Sequence, residues 1–196
     1  MAFHTQNVFC QTNNLNQAVH EKVERYSVAD PEGKDWENTK KAFAGHPQEE
    51  LASALIADLD VDRGGQSKNR TRDLAVTKLY QALNLPPTFV CKELEKDQSP
   101  QRKAALMTIL YRQNTADVTA ALLHQLKDRR PAVEFDAYNY EMPVYSMRVC
   151  DVACNILSNT LEPNRSGYRI GPSCPYERRD EIIKETLKEL KLDSSK

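Results

Sequence analysis

The sequence predicts an all-α protein, a short α-α superhelix of helix pairs with a helical N-terminal cap and an amphipathic C-terminal helix. The main observation is an apolar pattern shared by three segments that align without gaps: Thr71–Leu79, Arg102–Leu110 and Val149–Leu157. In the last segment the apolar residues recur at i, i+3, i+4, i+7 and i+8, which places them on one helix face. The segments begin 31 and 47 residues apart, which indicates a repeat with an insertion. No stretch shows a convincing strand pattern.

The first 46 residues are predicted to form a helical cap outside the repeats. Four apolar residues at helical spacing indicate its first helix: Leu15, Val19, Val23 and Tyr26. Asp35 is suited to capping a short second helix that carries Trp36 and stops at Gly45. At the other end of the chain, residues 162–196 contain an irregular stretch and then an amphipathic helix from about Tyr176. We expect one domain over residues 1–196.

Residues 47–161 are predicted to form about three helix pairs with an insertion at 129–147. The predicted pairs are Pro47–Leu59 with Thr71–Leu83, Pro86–Asp97 with Ser99–Gln113, and Thr115–Asp128 with Ser146–Leu161. Ser99 and Thr115 have the side chains that N-terminal helix caps prefer. The apolar columns of the aligned segments predict a core that contains Leu79, Leu110, Val152, Ile156 and Leu157.

A resemblance to HEAT repeats follows from the last predicted pair. Leu122–Asp128, followed across the insertion by Arg148–Ala153, resembles the short bacterial, phycobilisome-lyase-like variety of this family. The resemblance covers roughly Pro47 to Leu161 and implies a right-handed stack of helix pairs. Such repeats serve mostly as interaction scaffolds and occasionally as enzymes. Gly64-Gly65 and the insertion lengthen two turns, and Lys78 occupies a column that is otherwise apolar.

Composition excludes several classes of function. The net charge of −1 gives the whole molecule no bulk attraction to nucleic acid or to an anionic membrane, although residues 67–130 hold 12 Lys/Arg against 6 Asp/Glu. Five widely spaced cysteines without a CxxC motif argue against a disulfide framework and a zinc finger. No leader segment is apparent, and no apolar run reaches the roughly 20 residues of a membrane span. We therefore expect a cytoplasmic protein with no membrane partner.

Basic residues gather where the second helix of each predicted pair begins. They are Lys68, Arg70, Arg72, Arg102, Lys103 and Arg148. Stacked helices would place them along one edge, where they could bind anions or nucleic acid. The favoured alternative is that they pair with aspartates that close neighbouring helices: Asp60 or Asp62, Asp97 and Asp128. Basic residues at a helix N-terminus oppose the helix dipole, so a local acidic partner is expected.

Catalytic and metal sites have little support in the sequence. Cys150 and Cys154 are one helical turn apart, a spacing that two metal ligands could use, but no histidine is near in sequence, and packing is the favoured role. Asp151 is expected to cap its helix or to bind the insertion backbone, since no other residue supports a general base. We therefore expect no enzyme activity, no cofactor and no metal.

The insertion is the strongest functional feature of the sequence. It carries four of the fourteen aromatic residues: Phe135, Tyr138, Tyr140 and Tyr145. Stiff aromatic side chains are common at binding surfaces, and the acidic Glu134, Asp136 and Glu141 favour a partly basic partner. These aromatics, with Arg148 at the rim, are predicted to bind a protein or peptide. The open alternative is that the insertion folds back and covers the core.

Overall fold

The structure, a computed structural model, describes residues 3–28, 33–59, 67–96, 98–133, 145–162 and 169–193, and the side chains of most of them. Within these ranges the chain forms nine α-helices and one small sheet, so the prediction of a mostly helical protein is confirmed. The helices are α1 Phe3–Val28, α2 Gly33–Phe43, α3 Gln48–Ala57, α4 Ser67–Ala82, α5 Thr88–Leu94, α6 Pro100–Ile109, α7 Ala116–Gln125, α8 Val149–Leu161 and α9 Tyr176–Asp193.

The sheet corrects the prediction that the chain has no strand. Strands β1 (Pro131–Val133) and β2 (Met147–Arg148) pair antiparallel, with Pro131 opposite Arg148 and Val133 opposite Met147. The two strands are too short to show an alternating pattern, and β1 is held by packing against α6. Since residues 147–148 are extended, α8 begins at Val149 and not near Ser146.

The chain divides into two compact units, Met1–Val90 and Cys91–Lys196. In the first unit α1 packs against α3 and α4, and α3 also contacts α4. The predicted face of α1 is buried: Leu15, Val19, Val23 and Tyr26. Tyr26 also packs α1 against α2. Its hydroxyl lies 2.5 Å from the hydroxyl of Thr39, and its ring centroid lies 5.2 Å from the ring centroid of Trp36. The single domain predicted over both units stays a prediction.

The second unit is organised around α8, which packs against α6, α7 and α9. Nine residues of this 13-residue helix are buried, which is more than one apolar stripe and fits a helix covered on several sides. The predicted caps of two of its neighbours are confirmed. The Ser99 hydroxyl accepts from the backbone N–H of Arg102 at 3.2 Å, and that of Thr115 accepts from Val118 at 3.3 Å.

The predicted core is confirmed except at one residue. Buried as predicted are Leu79, Leu110, Ile156 and Leu157. Val152 is only half-buried, which corrects the prediction, and Asn159, two turns further along the same side of α8, is half-buried as well. Leu74, in the same column as Val152, is 43% exposed. Within the described ranges, no helix has the length and apolar character needed to cross a membrane.

Candidate functional site

The residues on both sides of the central part of the predicted insertion are held by backbone hydrogen bonds. We call residues 131–133 and 145–148, which flank segment 134–144, the insertion base. The β1–β2 pairing joins its two halves, and the backbone N–H of Val149 donates to the Arg130 carbonyl at 3.1 Å. The second half is also tied to residues 171–176. There the N–H of Tyr145 donates to the Pro172 carbonyl at 2.9 Å, and the Tyr176 hydroxyl donates to the Ser146 carbonyl at 3.3 Å.

One arginine from α9 joins both of these irregular segments. Arg179 is completely buried. Its Nε donates to the Cys174 carbonyl at 2.6 Å, and its Nη1 donates to the Ser146 carbonyl at 2.8 Å. Its Nη2 donates at 3.1–3.2 Å to three further carbonyls, those of Tyr145, Gly171 and Pro172. We call Arg179 with these five carbonyls the arginine clasp.

The carboxylate of Asp151 on α8 balances the positive charge of Arg179. This carboxylate is fully buried and accepts from Arg179 Nη1 at 2.9 Å, from Arg148 Nη2 at 2.8 Å and from the Arg148 backbone N–H at 2.9 Å. Burial alone would raise the pKa of Asp151. The hydrogen bonds from the Arg148 side chain and backbone, with that from Arg179, outweigh it and hold the pKa below the ordinary value. Of the two roles expected for Asp151, capping its helix is confirmed, since it accepts from the backbone N–H of Arg148, the residue before α8.

The ion pairs continue from Asp151 to the surface. Asp180, which is 39% exposed, accepts from Arg148 Nη2 at 2.7 Å and from Arg129. Charges therefore alternate from the half-exposed Arg129 through Asp180, Arg148 and Asp151 to the buried Arg179. The guanidinium carbons of Arg148 and Arg179 also lie 5.0 and 5.1 Å from the centroid of the Tyr176 ring, within range of a cation–π interaction.

Asn155 provides a second attachment for the segment that the clasp binds. Its side-chain amide donates to the Ile170 carbonyl, and its side-chain oxygen accepts from the Ile170 N–H, both at 2.9 Å. This two-bond pairing copies the pattern between strands, so it fixes the backbone at residue 170 against α8. Residues 170–174 are thus held by α8 at one end and by α9 at the other.

The structure brings Tyr145 and Arg148, two of the predicted partner-binding residues, together in the insertion base. Tyr145 is half-buried, and its ring packs edge-on against that of Tyr176 with centroids 5.4 Å apart. Arg148 is 8% exposed, because its guanidinium binds Asp151 and Asp180. The other predicted anchors, Phe135, Tyr138 and Tyr140, lie outside the described residues. Partner binding by this set stays a prediction.

Two residues of the predicted basic edge, Arg72 and Lys103, are bound to acidic side chains. Arg72 Nη2 donates to Asp58 at 2.8 Å, and Nη1 of the same guanidinium binds Glu24. Lys103 donates to Asp128 at 3.3 Å, which is one of the pairings expected from the sequence. Arg102 is half-buried. The side chains of Lys68 and Arg70, together with Asp60, Asp62 and Asp97, lie outside the described part.

The two cysteines of α8 pack in the core, as predicted. Both are completely buried, and the Cys154 thiol donates to the Thr186 hydroxyl at 3.5 Å. Burial raises the pKa of Cys150 to about 12, so its thiol stays protonated at neutral pH. Among the described residues, no group of three His, Cys, Asp or Glu side chains is placed to hold a metal ion.

Sequence reasoning missed Arg179, Asp180 and Asn155. A signal for Arg179 was present, since Arg179, Ile182, Ile183 and Thr186 follow i, i+3, i+4 and i+7 on α9 and all four are buried. An arginine in the register of an apolar face indicates a buried charge with a partner. Nothing local in the sequence indicates that its partners are Asp151 and the backbone of residues 145–146 and 171–174.

Comparisons with protein-family models, with curated proteins and with solved structures give no match for this chain. What the fold defines is therefore a class: a mostly α-helical protein with a two-stranded sheet, whose central helix α8 carries a buried arginine–carboxylate cluster at the insertion base. The HEAT-like repeat stays a prediction.

Proposed function

We propose that this protein is a non-enzymatic scaffold that binds a protein or peptide through segment 134–144 and the adjoining insertion base. The observation that supports the proposal is the attachment of both flanks of this segment to the core. β1 and β2 are paired, and the arginine clasp holds residues 145–146. A binding segment with fixed flanks loses less conformational entropy on association than one attached at a single end.

The composition of the segment defines the partner that it would favour. Phe135, Tyr138 and Tyr140 provide large apolar area with few rotatable bonds, as binding surfaces often do. Glu134, Asp136 and Glu141 give the same segment a negative charge, so a partly basic protein or peptide is the proposed partner. Affinity should come mainly from the aromatic side chains, and the charges should speed association.

Anion or nucleic-acid binding by the basic middle segment, the alternative from the sequence, is the weaker proposal. Its predicted residues were Lys68, Arg70, Arg72, Arg102 and Lys103. Arg72 and Lys103 already bind carboxylates in their own units, with Asp58 and Asp128 as partners. A phosphate would have to displace these carboxylates, so the two cations are poor candidates for a phosphate site.

We also propose that α6 and α8 are equivalent second helices of a HEAT-like repeat. The two helices pack against each other, and the aligned Leu110 and Leu157 are both fully buried, which supports the proposal. That α4 is equivalent to these two helices stays a prediction, because α4 belongs to the first unit and α6 and α8 belong to the second. A reducing cytoplasm is the proposed location, and it suits the four described cysteines, which are free thiols.

The test of the proposed surface is a Phe135/Tyr138/Tyr140→Ala variant, compared with the wild-type chain in affinity capture from extracts of the native cell. Tyr111→Ala, which removes a half-buried aromatic elsewhere in the second unit, is the matched control. We expect the triple variant to lose the captured protein while its melting temperature stays within about 5 °C of wild type, since each of three surface substitutions changes stability by roughly 0.5 kcal/mol or less.

Two results would contradict the proposal. Undiminished capture by the triple variant would remove the segment from the binding surface. A melting temperature lowered by many degrees would assign the three aromatics to the core instead. Repeating the capture at about 0.5 M salt separates the alternative function, because phosphate binding weakens steeply with salt whereas aromatic contacts change little.

A further inference from the structure

We propose that Arg179 is a positioning residue for the insertion base, so that a partner binds there only when α9 is docked with its guanidinium in that base. This inference rests on the proposed function. Arg179 lies on α9, outside the insertion and its flanks, and it acts through the backbone that it holds. The structural basis is that this one side chain contacts two irregular segments and α8 at the same time.

Arg179 bridges the two segments, because it donates to carbonyls of both. Five backbone carbonyls, from residues 145, 146, 171, 172 and 174, accept from the guanidinium. Directly between the segments there are a backbone bond from Tyr145 to Pro172 and a side-chain bond from Tyr176 to Ser146. Residues 145–146 are therefore attached to the second segment both directly and through Arg179, which accounts for half of these hydrogen bonds.

An arginine is needed for this arrangement. Its guanidinium has five N–H donors in a fixed plane, and in Arg179 all three nitrogens donate. A lysine ammonium has three donors around a single point, so it could not reach carbonyls on both segments and Asp151 together. A lysine at this position would keep the charge that balances Asp151 but would release part of the clasp.

The packing of α9 on α8 and the ordering of the insertion base are consequently coupled through Arg179. The same helix face that carries Arg179 also buries Ile182, Ile183 and Thr186, and α9 packs on α8. A ligand that prefers the ordered base must therefore also stabilise the docked α9, because coupling between two linked equilibria is reciprocal. Ligand binding at the base should slow hydrogen exchange in α9, an effect that a purely structural role for Arg179 would not produce.

The experiment compares Arg179→Lys with Arg178→Lys as the matched control. Arg178 is the adjacent residue, but its side chain is 52% exposed, and its ion pairs among the described residues are with Glu181 and Glu185 on the same helix. Amide exchange is measured at Tyr145 and Cys174, whose N–H groups are bonded within the clasped region. Because Arg179→Lys keeps the charge but removes several buried hydrogen bonds of the clasp, we expect exchange to be roughly 100-fold faster in Arg179→Lys and unchanged in Arg178→Lys.

Binding is measured on the same three proteins with a defined probe, a short fluorescent peptide of lysines and leucines that represents a basic partner. We expect Arg179→Lys to bind the probe at least about 10-fold more weakly than wild type and Arg178→Lys to bind it equally well. The probe should also slow exchange of α9 amides in the wild-type protein. This set of results supports both the inference and the proposed function.

The other outcomes separate the two ideas. Unchanged exchange at Tyr145 and Cys174 in Arg179→Lys overturns the clasp, whatever the probe does. Faster exchange with undiminished probe binding overturns the coupling and leaves the proposed function standing. If the wild-type protein does not bind the probe, the proposed basic partner is contradicted, and exchange alone decides whether Arg179 orders the base.

A second variant keeps the inference testable if Arg179→Lys does not fold. Arg179→Ala leaves a space that ethylguanidinium can enter and ethylammonium, which lacks the planar donors, cannot fill. Recovery of exchange protection at Tyr145 with millimolar ethylguanidinium, and none with ethylammonium, supports the clasp. Equal effects of the two cations overturn it.

Discussion

Replacing Asp151 with asparagine removes one charge from the centre of the buried cluster and changes almost nothing else in shape. In the wild-type protein the Asp151 carboxylate accepts from the backbone N–H and the guanidinium of Arg148 and from the guanidinium of Arg179. An asparagine keeps one acceptor oxygen, but its amide group would point N–H donors at arginine donors. Two buried guanidinium groups would then share a partner without charge.

The magnitude follows from the burial of all three groups. Asp151 and Arg179 are fully buried and Arg148 is 8% exposed, so water cannot take the place of the lost charge. Removing one partner of such a buried pair costs about 3–5 kcal/mol, because the remaining charge is left unbalanced. With a urea slope near 2 kcal/mol per molar, the unfolding midpoint should fall by roughly 2 M.

Asp180→Asn is the matched control, since it makes the same chemical change at the other carboxylate that binds Arg148. Asp180 is 39% exposed, and exposed ion pairs contribute about 1 kcal/mol or less. Urea unfolding is followed by far-ultraviolet circular dichroism for the helices. The fluorescence of Trp36, the one tryptophan of the chain, reports the first unit separately.

A loss of less than about 1 kcal/mol in Asp151→Asn, or a loss no larger than that of Asp180→Asn, would contradict a buried, charge-dependent cluster. Either result would mean that the guanidinium groups of the cluster find water or other acceptors when the carboxylate is neutralised. A loss that appears only in the Trp36 signal would likewise contradict the placement of the cluster in the second unit.

Three further predictions concern the second unit. Leu157→Ala should cost about 2–5 kcal/mol in urea unfolding and Val152→Ala clearly less, because Leu157 is completely buried and Val152 is not. Stability should fall as the pH drops from 3.8 towards 2. Hydrogen bonds from Arg130 and Lys103 lower the pKa of Asp128 from 3.8 to about 2, so its carboxylate stabilises the fold fully above pH 3.8 and loses this effect as the pH falls through that window. Unfolding midpoints in urea, measured against pH, test this. In native protein a thiol reagent should label the half-buried Cys174 faster than the buried Cys150, which mass spectrometry of the labelled peptides would show.

Most of the helices and the caps at Ser99 and Thr115 could be predicted because their signals are local, whereas Asp35 is not a cap but lies in the first turn of α2, which begins at Gly33. Ser99 and Thr115 bond to N–H groups three residues away, and apolar spacing within one helix identifies its buried face. The partial exposure of Val152 could not be predicted, since periodicity identifies the face of a helix but not which neighbours cover it. The strands escaped prediction because they are short and because β1 pairs with a strand that follows an insertion.

The residues that sequence rules handle least well coincide with the proposed site. Asn155 and Arg179 are polar side chains at buried positions of α8 and α9, where the pattern calls for apolar residues, and Asp151, whose capping role could be predicted, is buried beside them. All three bond to the backbone of residues 145–148 or 169–174, while buried positions such as Ile156 and Leu157 follow the apolar pattern. A buried charge is costly to retain unless it has a specific task, and such exceptions to local rules tend to cluster at functional sites. The concentration of these exceptions beneath the insertion base is therefore an argument, independent of the aromatic composition of segment 134–144, that the base is the part of the molecule whose geometry must be exact.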